Sequence, residues 1–169
     1  MTSLEEILKK QPLVVFSIYT HIQVQFLERY GNELCESLDK MLAEKHVISG
    51  DIQLTYGQIW LWILGAYEVV RTMCQAKACF SDALFDRLIF FKRDIANFRI
   101  PFAKQELRGR NIAVHSELSI SGYDFVKKDF VFTIDNKKYS FRDYFINFSN
   151  LMASITNNDI IHGLEKTYE

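Results

Sequence analysis

Six cations, Lys92, Arg93, Arg99, Lys104, Arg108 and Arg110, stand in a stretch that holds only two acids, Asp94 and Glu106. A guanidinium presents forked donors that match phosphate oxygens, so Arg108, Lys104 and Arg99 are candidate phosphate-binding residues on an anion or RNA-backbone surface. The other reading of such a run is a solvated helix face balanced by acids elsewhere in the fold. His21, His46, His115 and His162 lie far apart, and none has a second ligand three or four residues away, so no metal is expected. Cys35, Cys74 and Cys79 form no CxxC pair, and their odd number fits reduced thiols better than a disulfide framework or a structural zinc. Glycine-rich phosphate loops, a GxSxG elbow, an HExxH pair and an EF-hand loop are missing from the sequence. The common nucleotide, hydrolase and metalloprotease chemistries therefore have no support.

At its end the basic run reads Arg108-Gly109-Arg110-Asn111-Ile112-Ala113-Val114-His115. The segment from Arg110 to His115 resembles the R-x(4-6)-H motif of HEPN domains, where a polar residue, often Asn, follows the arginine as Asn111 does here. The resemblance spans this segment and a broadly helical architecture. It implies a metal-independent RNase or toxin component that acts as a homodimer on RNA without a cofactor. By that resemblance Arg110 would bind and polarise the scissile phosphate, His115 would move a proton at the ribose hydroxyl or the leaving oxygen, and Asn111 would orient them. In that family the motif lies on a helix, whereas here Gly109, suited to end one, directly precedes Arg110. The alternative for the same residues is a surface arginine and an ordinary polar histidine in a connection.

The elements that must position these groups are mostly helical. Ser3-Leu4-Glu5-Glu6 has the form of a capping box and predicts a short helix to about Lys10, broken by Pro12. Val14, Phe16, Ile18, Thr20, Ile22, Val24 and Phe26 alternate as a strand would, while Val15, Ile18, Ile22 and Phe26 also form a helical stripe. Because Leu27, Tyr30, Leu34, Leu38, Met41 and Leu42 continue that stripe without a turn signal, a single long helix is expected. Ser49-Gly50-Asp51 should cap a second helix from about Gln53 to Ala76, the central one, with Trp60, Ile63, Leu64 and Tyr67, and Leu88 further along the chain, among the most buried residues. Gly57 and Gly65 suggest close packing of that helix against a neighbour.

Ser81-Asp82 should start a third helix, with a seam of Leu84, Leu88, Phe91, Ile95 and Phe98, ending before Pro101. A shorter helical segment from Pro101 should close at Gly109 as a left-handed C-cap. Residues 111–129 suit either helix or an extended conformation. Residues 130–141 read as a β-hairpin turning at Asp135 to Lys138, and Ser140 should cap an amphipathic helix carrying Phe141, Tyr144, Phe145, Phe148, Leu151 and Met152. Asn157-Asn158-Asp159 signals a turn. The fold class expected is mainly α, a helical bundle with a short C-terminal β-hairpin, in one domain over residues 1–169.

With 20 Lys and Arg against 21 Asp and Glu, a net charge of -1 supplies no global field for nucleic acid or an anionic membrane. The densest apolar stretch, Ile59 to Ala66, is soon followed by Glu68 and Arg71, well short of the ~20 residues needed to span a bilayer. The N-terminus has neither the basic nor the apolar region of a secretory signal. A soluble, cytoplasmic protein is expected, with no membrane partner. Its most economical function is a non-enzymatic binding or interaction module. The alternative is the HEPN-like RNase.

Overall fold

The computed structural model describes residues 11–43, 49–106, 108–109 and 121–164. The helix expected from Ser3 to Lys10 lies outside them. Pro12 opens a helix, α1 (Pro12–Phe16), at a first-turn position where a missing amide hydrogen breaks no bond. The interruption falls at Ser17 instead, whose backbone is extended at φ -163° and ψ 123°. The chain restarts as α2 (Ile18–Ala43), and the Thr20 amide donates to Ser17 Oγ at 3.3 Å. The strand-or-helix ambiguity over residues 13–26 therefore resolves as two helices. Burial of Val24, Leu27, Leu34, Leu38 and Leu42 along one side shows why: the longer stripe has helical period.

The next helix, α3 (Ser49–Gln75), packs back along α2, with Trp62 Nε1 donating to the Leu27 carbonyl at 2.9 Å. Trp62, Ile59, Ile63, Ala66, Val70 and Met73 are fully buried. The expected burial set needs correction, because Trp60 is 37% exposed and Leu64 and Tyr67 are half-buried, while Ile63 and Leu88 are buried as expected. A run of apolar residues covers every side of a helix, and the neighbours, α2 and the following helix, cover only part of α3. Gly65 does meet a close neighbour: a Cβ there would lie 3.0 Å from Leu27 Cδ2. Gly57 faces open space, so close packing does not account for it. Gly31 of α2 admits the ring of Phe145, which a Cβ would overlap.

After a short 3-10 turn (Lys77–Cys79), Ser81 Oγ accepts the Leu84 amide at 3.2 Å and starts α4 (Asp82–Lys104). This helix runs through Pro101 rather than ending before it. Interior proline costs about 3 kcal/mol through the lost hydrogen bond and the ring's clash. Here Pro101 is buried, and Phe102 packs on Tyr56, Phe98 and Phe132, which offsets that cost. The left-handed cap is Gln105, at φ 54°, whose amide reaches the Pro101 carbonyl at 2.9 Å. Gly109 is left-handed too, at φ 73°, but lies beyond the helix.

Three antiparallel strands follow in the order β1 (Gly122–Asp124), β2 (Asp129–Ile134) and β3 (Lys137–Ser140). The hairpin forms, with Phe132 opposite Tyr139, but its turn is tighter than expected: Lys137 and Lys138 pair with Ile134 and Thr133, and Asp135 and Asn136 alone turn the chain, at φ angles of 50° and 62° that suit these short polar side chains. The added strand β1, with Tyr123 opposite Phe130, falls in the stretch whose conformation the sequence leaves open. Ser140 Oγ accepts the Asp143 amide at 3.2 Å and caps α5 (Phe141–Ala153). One core then joins everything: Trp62 meets the edges of Phe141, Phe145 and Phe148 at 5.2, 5.8 and 5.5 Å. The architecture is mainly α, with a small C-terminal sheet.

Candidate functional site

Two of the described cations of the basic run, Arg99 and Arg108, have separate partners within the fold. Arg99 turns toward α3, its guanidinium 4.7 Å from the centre of the Tyr67 ring and its Nη2 3.6 Å from Glu68. Its Nε is buried and has no hydrogen-bond partner among the described residues. Arg108 folds back along a different side of α4, donating from Nη1 to the Arg93 carbonyl at 2.7 Å and to Asn97 Oδ1 at 3.0 Å. Lys104 is exposed in the last turn of α4. Arg99 and Arg108 are therefore held apart by separate internal partners. Gly109 is exposed; Arg110, Asn111 and His115 lie outside the described residues.

The three thiols are buried or half-buried. Cys79 is fully buried, with Sγ 3.5 Å from His162 Nδ1. Burial pushes the Cys35 and Cys74 thiols above their ordinary range, which suppresses the reactive thiolate. Burial likewise lowers the His21 imidazole. Among the described residues no three His, Cys, Asp or Glu side chains come together as a metal site would require.

One concave feature among the described residues is apolar. A groove of about 750 Å³ runs between α2 and α3, floored by Leu27 and Gly65 and walled by Ile22, Phe26, Tyr30 and Leu61. Phe26 stacks on Tyr30 with ring centres 5.6 Å apart. Around the groove, Ile18, Tyr19, Ile22, Phe26 and Leu61 are 56%, 78%, 54%, 52% and 55% exposed. At the rim, Glu68 is closed off by Arg71 at 2.6 Å. Apolar side chains of this kind bind by removing area from water.

Sequence reasoning overlooked this surface, yet a signal for it exists. From Pro12 to Leu27 there is no Asp, Glu, Lys or Arg, and from Ile52 to Tyr67 there is again none. A helix buried on one side ordinarily carries charges on the other. The two uncharged stretches meet at Leu27, Trp62 and Gly65, and beside that contact Ile22, Phe26 and Leu61 face out. No helix among the described residues is long and apolar enough to cross a membrane. The chain matches no protein-family model, no curated protein and no solved structure.

Proposed function

We propose that this chain is a non-enzymatic helical interaction module that works through the α2–α3 face. The observation that carries the reading is the uncharged, half-exposed stripe from Ile18 to Phe26 beside Leu61, with a groove along it. Exposed apolar patches larger than a few hundred Å² are uncommon on monomers and mark places where another molecule sits. Five large side chains exposed over more than half their area amount to roughly 500 Å², at the upper end of that range. Folding alone does not require them, since the adjoining core is complete beneath them at Leu27, Trp62 and Val69.

The test is site-specific photo-crosslinking in cells that produce the protein. A photoreactive amino acid in place of Tyr19 or Leu61 should give discrete adducts. The same group in place of exposed Lys138, in the hairpin, should give none. An empty result at both Tyr19 and Leu61 would remove the basis of the interaction reading.

A further inference from the structure

We propose that the occupant of the α2–α3 face is a second copy of this chain, docked about a two-fold axis; the proposal rests on the interaction reading above and names its partner. The first argument is charge. A two-fold contact sets a patch against its own copy, so a patch carrying charge of one sign would repel itself. Here the described residues from Pro12 to Leu27 include no Asp, Glu, Lys or Arg, and the α3 residues that line the groove with them include one, Glu68, which is paired with Arg71. Charges begin only at Glu28, Arg29 and Glu68, and Arg29 and Glu68 have partners within their own helices, Glu33 at 4.0 Å and Arg71 at 2.6 Å.

The second argument is area. The stripe offers roughly 500 Å² of apolar surface per copy, and its polar margin at Gln23, Thr72 and Arg71 brings the contact toward the ~800 Å² per partner of a standard stable interface. Shape agrees, because the same face carries both ridge and groove. Phe26 and Leu61 project beside a floor kept low by Gly65, so a two-fold can seat the ridge of each copy in the groove of the other. The observations disfavour a lipid surface. Helices that lie on membranes flank their apolar face with free Lys and Arg, whereas the cations beside this stripe, Arg29 and Arg71, each pair with a glutamate.

Sedimentation equilibrium of the full chain over a roughly hundred-fold concentration range should show a reversible monomer–dimer equilibrium. Phe26→Lys and Leu61→Glu should each weaken it at least about 30-fold, the scale of losing a central contact residue. Tyr19→Lys, at the most exposed position of the stripe, guards against loss of folding, and circular dichroism melts of all three variants should match wild type. A wild type that stays monomeric throughout the range overturns the proposal, as does a dimer whose constant is unchanged in the folded variants. Crosslinks from Tyr19 separate the two levels of failure. An adduct of a different mass from a monomeric protein would sink the homodimer and keep the interaction reading, whereas no adduct would sink both. Flotation with phosphatidylserine vesicles that Phe26→Lys abolishes, from a monomeric wild type, would likewise overturn the homodimer in favour of a membrane.

Discussion

Asp129 is the charged residue most deeply enclosed among those described. Its carboxylate accepts the Phe130 amide at 2.8 Å, the Arg142 amide at 2.9 Å and the Ser140 hydroxyl, so one side chain ties the start of β2 to the start of α5. Arg142 extends the tie to α2, donating to the Cys35 carbonyl at 2.8 Å and to Asp39 at 3.0 Å. Burial pushes Asp129 upward in pKa, against the pull of Ser140 and the Arg142 and Phe130 amides. Asp129→Ala leaves those donors without an acceptor and should lower stability by about 3 kcal/mol in urea unfolding, with Asp129→Asn, which keeps one acceptor oxygen, losing about half as much. An unchanged midpoint for Asp129→Ala would show that the tie is not structural. Nothing in the sequence singles this residue out, because beside Lys127 and Lys128 it looks like one more surface charge. For Arg110 and His115 the expectation follows from the interaction reading: metal-free single-stranded RNA should survive incubation with wild type, Arg110→Ala and His115→Ala alike. Cleavage by wild type that drops ~10²- to 10⁴-fold in His115→Ala, with both variants folded, would put the RNase reading in its place.

Elements show how far periodicity reaches. Helix α5 was legible down to its cap, because Phe141, Tyr144, Phe145, Phe148 and Met152 form a single stripe and all are buried. Helix α3 was legible as a helix but not in its orientation. Trp60 and Trp62 look equivalent in an apolar run, yet Trp62 is fully buried under three phenylalanine rings and Trp60 faces out. Ile63→Ala should therefore cost about 2–5 kcal/mol of stability in thermal or urea unfolding. Trp60→Ala should cost under about 1 kcal/mol, as surface changes do. Comparable losses at both positions would mean that α3 is buried all round. Pro101 was legible as a break and is not one, since the propensity argument omits the aromatic cluster that holds the helix together past it.

Across the whole molecule, the described C-terminal residues are stapled to the connection between α3 and α4. Ile160 bridges Phe80, the Ile161 amide reaches the Cys79 carbonyl at 2.8 Å, and Ser81 donates its amide at 2.9 Å to the Asp159 carbonyl. The Asp159 carboxylate completes the staple. It accepts the Thr156 amide at 2.9 Å and the Thr156 and Ser81 hydroxyls at 2.8 and 2.9 Å, with Arg87 at 3.7 Å. Partial burial pushes its pKa up, but the Thr156, Ser81 and Arg87 interactions together outweigh this and hold it below the ordinary 3.8. A carboxylate lowered by folding contributes stability above its unfolded value and loses it as pH falls through the folded one. The melting-temperature gap between wild type and Asp159→Asn should thus be full at neutral pH and shrink once the pH drops below 3.8. A gap that is constant with pH would show that Asp159 acts without its charge.

Local chemistry alone decided that the chain is mainly helical, that Ser81 and Ser140 start helices, and that polar residues turn the hairpin, because each depends on groups within a few residues. Burial along α3 was a different matter. So were the close approach at Gly65 and not at Gly57, the separate fates of Arg99 and Arg108, and the outward-facing stripe of α2. Each of these depends on which surface another element covers, and that is settled by packing among segments distant in sequence. An uncharged stretch looks the same on the page whether a neighbouring helix buries it or leaves it open.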